Sequence, residues 1–144
     1  GYFAIRFAKH VRSGVVYAVD IEETMVDWVL KRAARKRLEN VVGVVASADS
    51  AKLPGAVDLV FVSNTYHHIN ERSSYFSRLH RKLRKGGRVV IVDFKMGKLP
   101  VGPPDSHKIS PKRVENEMSA AGYRLVRRDD KLLPYQHLFE FVAK

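Results

Sequence analysis

The chain has 144 residues, of which 45% are hydrophobic, and it contains no cysteine. This length and composition indicate one globular domain, residues 1–144, and exclude collagen, coiled coils and disordered chains. Without cysteine, disulfides, thiolate metal sites and cysteine nucleophiles are excluded. No apolar run approaches the roughly 18–20 residues of a membrane span. We therefore expect no membrane span, and a cytoplasmic location is compatible with the composition.

The chain is strongly basic, with 26 lysine and arginine residues against 15 aspartate and glutamate residues, a formal net charge of +11. Such an excess favours acidic partners such as nucleic acid, although a solvated basic surface gives the same count. The two basic runs, residues 31–37 and 78–85, fall at the ends of predicted helices. Cations at helix ends interact favourably with the helix dipole.

Strands alternate with helices along the chain. The predicted helices span residues 1–12, 22–38, 71–84 and 111–121. The predicted strands span residues 15–19, 41–46, 57–62, 88–93, 123–129 and 136–142. Apolar strands separated by helices predict an α/β fold with a mostly parallel sheet covered on both faces. The last two strands have a short connection, so they can pair only as an antiparallel hairpin at one edge.

Polar residues follow the strands at the edge where open parallel sheets bind ligands. Asp20 ends the first strand, and Gly1 lies nineteen positions earlier, just before a helix. A glycine turn, a helix, a strand and an acid at about this spacing are typical of nucleotide-ribose binding. The carboxylate would accept hydrogen bonds from two ribose hydroxyls. An aspartate that caps the following helix explains the same pattern, so both interpretations stay open.

Further polar residues follow the next two strands. Asp49 lies after the second strand, five positions before Pro54, and Asn64 lies after the third. Together with Asp20 and the Lys85-Gly86-Gly87 turn into the fourth strand, they resemble the class I S-adenosylmethionine-dependent methyltransferases. The resemblance is to the small-molecule branch, close to the ubiquinone-biosynthesis type, and it covers essentially the whole chain.

The resemblance implies a doubly wound, Rossmann-like fold with S-adenosyl-L-methionine as cofactor. It implies methyl transfer to a small-molecule acceptor by in-line displacement. The family's first strand and the first part of its glycine loop would precede Gly1, so we expect this chain to lack them. The residues that match the family's cofactor-binding positions are Gly1, Asp20, Ile21, Met25, Asp49, Ser50 and Asn64.

Each of these positions has an implied role. Asp20 would bind the ribose, with Ile21 and Met25 against the adenine. Asp49 would accept a hydrogen bond from the adenine amino group, and Ser50 would give a backbone N–H. Asn64 lies where the family's backbone contacts the methionine part. Met25 has an equally good interpretation as a helix core residue, and the two roles can coexist.

His67 and His68 are the candidate catalytic residues. An imidazole can remove a proton from the acceptor near neutral pH. Adjacent residues at the start of a helix point apart, so at most one of the two histidines should face a pocket. The alternative is that neither is catalytic, with one histidine packed in the protein and the other solvated. Asp93, also at a strand end, could contact acceptor or cofactor, or cap a loop. No histidine and carboxylate cluster suggests a metal.

Three other interpretations remain open. The first is a nucleic-acid methyltransferase or basic binding module on the same fold, but no Asn-Pro-Pro-Tyr motif follows the third strand, where the sequence is Asn64-Thr65-Tyr66-His67. The second is an inactive, truncated relic. The third is an NAD-binding domain, which fits less well because that fold has no need of a second acid at Asp49.

Overall fold

The computed structural model describes all residues, 1–144. Contacts divide the chain into two compact units, unit 1 (Gly1–Pro54) and unit 2 (Gly55–Lys144). The helices are α1 (Tyr2–His10), α2 (Glu23–Arg35), α3 (Arg72–His80) and α4 (Pro111–Ala120). The strands are β1 (Val16–Asp20), β2 (Val41–Val45), β3 (Val57–Ser63), β4 (Leu83–Phe94), β5 (Tyr123–Asp129) and β6 (Gln136–Ala143). None of the helices is long and apolar enough to traverse a bilayer.

Unit 1 consists of the parallel pair β1 and β2 with α1 and α2 packed against it. Its core is formed by small and branched side chains: Ile5, Ala8, Ala18, Val29, Ala33 and Val41. Gly43 of β2 has no room for a side chain, because an added Cβ would collide with Val26 of α2. This close approach brings α2 directly onto the strands and fixes where β1 and β2 end.

Unit 2 contains a four-stranded mixed sheet in the order β3-β4-β6-β5. β3 and β4 are parallel, whereas β6 is antiparallel to both β4 and β5. The largest fully buried side chains of this unit are Tyr66, Tyr123, Phe76, Phe139, Phe141, Ile91 and Met118. Helix α4 packs on β5 and also contacts α3.

The predicted α/β fold and the antiparallel hairpin at the sheet edge are confirmed. Two of the strand pairs are parallel and two are antiparallel, so the sheets together are more evenly mixed than predicted. The share of antiparallel strand pairs is larger than predicted, because β6 lies between β4 and β5 and pairs with both. Helix α4 begins at Pro111 as predicted, and the Ser110 hydroxyl caps it by accepting from the Arg113 N–H.

Two predicted helices are too long. The second ends at Arg35, and Arg37 has a left-handed φ of 56° that stops the helix. The third ends at His80, and the residues predicted to close it belong to β4, where Leu83 pairs with Val57. The predicted turn at Gly86 is an irregularity inside that strand, since Gly86 has a φ of 78° and the register shifts before Arg88.

Candidate functional site

In unit 1 the candidate residues lie where β1 and β2 end. The strands are parallel and in register from Val16 to Asp20, and the Ala46 N–H donates to the Asp20 carbonyl at 2.8 Å. The Asp20 carboxylate accepts the Glu22 N–H on Oδ1 at 3.1 Å. Within this unit the second oxygen, Oδ2, makes no hydrogen bond. Asp20 thus closes the turn that leads into α2 with one oxygen, without capping the helix itself, and presents the other oxygen as an acceptor.

Asp49 and Ser50 lie in a tight turn after β2. The turn is closed by two backbone hydrogen bonds between Ser47 and Ser50, at 2.9 and 3.2 Å, and the Ser47 hydroxyl donates to Asp49 Oδ1 at 2.7 Å. The Ser50 N–H, implied to face the cofactor, is the donor of the longer backbone bond. Its side-chain oxygen accepts the Lys52 N–H at 3.2 Å. Ser50 therefore shapes the turn that carries Asp49, and a contact of its N–H with cofactor stays a prediction.

Two apolar side chains next to Asp20 are exposed. Ile21 is 60% exposed and Met25 is 47% exposed. The interpretation of Met25 as helix core is wrong, because the buried face of α2 is formed by Val26, Val29 and Ala33. Exposed apolar side chains beside an acceptor carboxylate suit a planar base that covers them.

Gly1 packs against the middle of α2 in the same unit. It precedes α1, where its carbonyl accepts the Ile5 N–H, and an added Cβ would lie 2.7 Å from Val29 Cγ2. The structure therefore excludes a side chain at this position by close packing on α2. Its predicted part in cofactor binding stays a prediction.

In unit 2 the strands β3 and β4 end side by side. The Asn64 N–H donates to the Val92 carbonyl at 2.8 Å and so prolongs the ladder by one residue. Asn64 has a left-handed φ of 51°, and its Oδ1 is the one buried side-chain nitrogen or oxygen without a hydrogen-bond partner. Leaving such a group unpaired costs about 1–3 kcal/mol, so this oxygen is suited to a ligand that donates an N–H or O–H.

His67 is held in the same region by Asp93. Its Nδ1 lies 2.7 Å from Asp93 Oδ1, and its backbone N–H donates to Asp93 Oδ2 at 3.0 Å. Asp93 Oδ1 also accepts the Phe94 N–H at 2.8 Å. The two side chains are 3% and 8% exposed, respectively. Asp93 is thus both a cap for the turn after β3 and a partner for the imidazole.

His68 lies beside His67 and is exposed. The ring centroids are 4.1 Å apart, so the prediction that adjacent histidines point apart is wrong. It assumed that both open a helix, whereas they lie in a 3₁₀ turn, Tyr66–His68, and α3 begins only at Arg72.

Sequence analysis did not find the pair of His67 and Asp93, which are 26 positions apart. The available signal was that each follows the end of an apolar strand. Only the parallel pairing of β3 with β4 makes them neighbours, with Ser63 paired to Val92.

Tyr66 anchors the turn to α4. Its buried hydroxyl donates to Glu117 Oε2 at 2.8 Å, and burial raises the pKa of this phenol. Arg72 donates to both oxygens of the same carboxylate, at 2.6 and 3.0 Å, and Arg113 donates to Oε1 at 2.8 Å. The fully buried Tyr66 ring therefore fixes the position of the turn.

The loop after β4 folds back toward this region. Lys108, almost fully buried, donates to the Gly97 carbonyl, and Asp105 Oδ1 accepts the Gly97 N–H at 2.6 Å. Gly102 approaches Phe94 so closely that an added Cβ would lie 2.6 Å from its ring, and the Phe94 ring centroid is 6.2 Å from that of His67. The loop after β4 is therefore tied down against Phe94, the neighbour of Asp93. No group of side chains in the chain is arranged to hold a metal ion.

Comparison with known proteins decides the family. Residues 1–91 match the family model described as a methyltransferase domain, of type 11. The chain belongs to this methyltransferase family. A search of curated proteins found no match.

Solved structures are similar to this methyltransferase over nearly its whole length. A SAM-dependent methyltransferase from Aquifex aeolicus is 26% identical with a TM-score of 0.90, over 98% of this chain and 76% of that chain. Magnesium protoporphyrin IX methyltransferase from Synechocystis PCC 6803 with bound SAM is 17% identical with a TM-score of 0.72, over 100% and 65%. A glycopeptide N-methyltransferase complexed with sinefungin is 13% identical with a TM-score of 0.79, over 100% and 76%. The last two likenesses concern the fold.

The predicted enzyme class is therefore confirmed: the chain is an S-adenosylmethionine-dependent methyltransferase with a Rossmann-like α/β fold. The side chains present suit its cofactor. Asp20 Oδ2 is an acceptor of the kind that ribose hydroxyls need, and the unpaired Asn64 Oδ1 suits an ammonium donor.

Proposed function

We propose that this methyltransferase transfers the methyl group to a small-molecule acceptor by in-line displacement. The proposal rests on which side chains lie at the strand ends. These are Asp20, Asn64, His67 and Asp93, and no arginine is among them. A nucleic-acid groove needs cations around the reacting group, because phosphate contacts dominate nucleic-acid affinity. Lys95, which directly follows β4, donates to backbone carbonyls of the β5–β6 connection.

The proposal gives a role in cofactor binding to candidate residues of each unit, taken separately. Asp20 accepts from the ribose hydroxyls, Asp49 accepts from the adenine amino group, and Ile21 and Met25 cover the adenine. In unit 2, Asn64 accepts from the methionine ammonium. Each assignment rests on residue chemistry: carboxylates for hydroxyl and amino donors, apolar side chains for the base, and a neutral oxygen for the ammonium.

When bound, S-adenosylmethionine supplies a methyl group already activated on a sulfonium sulfur. The protein therefore has mainly to position the acceptor, a contribution of up to roughly 7–11 kcal/mol. A base is needed only where the acceptor must lose a proton. His67 is the better candidate for that base, because it is held by a carboxylate, whereas His68 is exposed.

The test is to incubate the protein with methyl-tritiated S-adenosylmethionine and either a low-mass extract or total cellular RNA. We expect label in the low-mass fraction and none in RNA. Label in RNA that is lost on ribonuclease treatment would support the nucleic-acid alternative and overturn the small-molecule proposal. Binding of S-adenosylhomocysteine without label in either fraction would support an inactive relic.

A further inference from the structure

We infer that Asp93 is a positioning residue that fixes His67 with its ring proton on Nδ1, so that Nε2 is the base. We further infer that the acceptor atom is the oxygen of a hydroxyl group. The inference rests on the proposed small-molecule function and deepens it by naming the acceptor class.

The tautomer follows from the hydrogen bonds. An ionised carboxylate only accepts, and three N–H groups converge on Asp93: the His67 ring Nδ1, the His67 backbone and the Phe94 backbone. In a neutral imidazole one nitrogen donates and the other accepts. If Nδ1 donates to Asp93, the lone pair lies on Nε2.

Nε2 is available to a ligand. Within unit 2 it makes no hydrogen bond, although only 3% of the His67 side chain is exposed. Unlike Asn64 Oδ1, which is fully buried, Nε2 keeps some access to solvent. The groups of unit 2 that face the ring are Asp93 from β4, His68 from the same turn and Phe94. Of these, only Asp93 stabilises a positive charge on the ring.

This arrangement is matched to a hydroxyl acceptor. The hydroxyl proton moves to Nε2, and an oxygen electron pair forms the bond to the methyl carbon. The carbon–sulfur bond breaks and its electron pair stays on sulfur, giving a methyl ether and S-adenosylhomocysteine. The resulting imidazolium is stabilised by Asp93, which keeps its negative charge. A neutral amine attacks through its free electron pair and gains far less from a fixed base.

The tautomer is tested by nitrogen-15 NMR of labelled histidine, which reports which ring nitrogen carries hydrogen. With the imidazole neutral, in alkaline buffer, we expect hydrogen on Nδ1 and a bare Nε2, and Asp93→Asn should give a mixed population. The matched control is Asp130→Asn, which removes the partner of another histidine, His137, whose Nδ1 lies 2.5 Å from Asp130 Oδ1. The control should leave the His67 signals unchanged. A wild-type His67 with hydrogen on Nε2 overturns the inference even if Asp93→Asn does not fold.

The acceptor class is tested on the tritiated low-mass product. Hydriodic acid under conditions that cleave methyl ethers should release the label as volatile methyl iodide. Retained label identifies an N-methyl or C-methyl product and overturns the hydroxyl assignment. With the same extract, Asp93→Asn should slow labelling at least a hundredfold and abolish the increase of the labelling rate with pH. The affinity of this variant for S-adenosylhomocysteine should stay within twofold of wild type. Unchanged labelling overturns the positioning role. Absence of label with wild-type protein counts against the proposed function, while NMR still decides the tautomer.

Discussion

Asp20 and Asp93 are both carboxylates at the end of a strand, but their surroundings give them different chemistry. Asp20 is partly exposed and uses one oxygen on the Glu22 N–H. Asp93 is buried and accepts three N–H groups, two of them from His67. Asp20 therefore keeps an oxygen for a ligand, whereas the hydrogen-bonding capacity of Asp93 is directed at one imidazole.

Replacing Asp20 by asparagine should weaken S-adenosylhomocysteine binding at least tenfold, about 1.4 kcal/mol. A charge-assisted hydrogen bond contributes roughly 1.5–3 kcal/mol, and asparagine keeps an oxygen for the Glu22 N–H. Isothermal titration calorimetry measures the dissociation constant. Asp27→Asn, at an exposed position on α2, is the control and should bind as wild type. An unchanged dissociation constant in Asp20→Asn would mean that Asp20 only closes the turn into α2.

Asp49→Asn should have a smaller effect on affinity than Asp20→Asn, because the adenine amino group offers it a single hydrogen bond. It should relax the preference for S-adenosylhomocysteine over the inosine analogue, which lacks the amino group. The ratio of the two dissociation constants is the measurement. A ratio equal to that of wild type would show that Asp49 does not read the base.

At the scale of elements, Glu117 connects α4 to the turn after β3. Its carboxylate is shared by Tyr66, Arg72 and Arg113. Burial by itself raises the pKa of Glu117, but the hydrogen bonds from these three side chains together outweigh it and lower the pKa below its ordinary value. The carboxylate therefore stabilises the fold most at pH values above its ordinary pKa, and this contribution is lost as the pH falls through the lowered one.

Glu117→Gln should lower the free energy of unfolding by about 2 kcal/mol, between the values for exposed and buried ion pairs. The Arg72 side chain is only 11% exposed, so the loss leaves a cation poorly solvated. Urea unfolding at neutral pH measures the difference. Glu115→Gln on the same helix is the control, because Glu115 pairs with Arg128 at 3.4 Å at a more accessible position. This substitution should lower the free energy of unfolding by less than about 1 kcal/mol. Equal losses in both variants would contradict the network.

The β5–β6 connection is closed by Asp129. Its carboxylate pairs with Arg127 and accepts the backbone N–H groups of Lys131 and Leu132, and these contacts lower its pKa from 3.8 to about 2. A lowered pKa stabilises the folded state above the ordinary value, so this contribution is lost as the pH falls from 3.8 toward 2. We expect Asp129→Asn to make unfolding less dependent on pH in this interval. Guanidinium unfolding at both ends of it measures the change, and an identical dependence would contradict the assignment.

At the scale of the whole molecule, the net charge of +11 is the property that most favours nucleic acid. Many of the cations are already paired, including Arg72, Arg84, Arg88 and Arg113 with carboxylates. The excess is therefore less concentrated than the count alone suggests, and it acts mainly through solubility and non-specific attraction.

Binding to a single-stranded RNA of random sequence should be weak and purely electrostatic. We expect its affinity to fall more than tenfold between about 50 and 200 mM salt, while S-adenosylhomocysteine affinity changes less than twofold. Fluorescence anisotropy measures the affinity for RNA, and calorimetry measures the affinity for S-adenosylhomocysteine. RNA binding that persists in high salt and depends on sequence would contradict the small-molecule proposal.

The sequence by itself determined the order of the elements, because apolar strands and amphipathic helices carry their periodicity locally. It also determined the family, since Asp20, Asp49 and Asn64 follow successive strands at the spacing of this class of methyltransferase. It placed the end of α3 wrongly, because whether Leu83 continues a helix or joins β4 is decided by its pairing with Val57, far away in the chain.

Only the tertiary structure decided which side chains His67, Asp93 and Glu117 have as hydrogen-bond partners. Hydrogen bonds between side chains distant in sequence form only when strands and helices bring them together, and no local pattern records their partners. The parallel pairing of β3 with β4 sets His67 on Asp93, and the packing of α4 beside α3 sets Glu117 on Arg72. Burial then gives these contacts their strength, because polar groups removed from water must be paired within the protein.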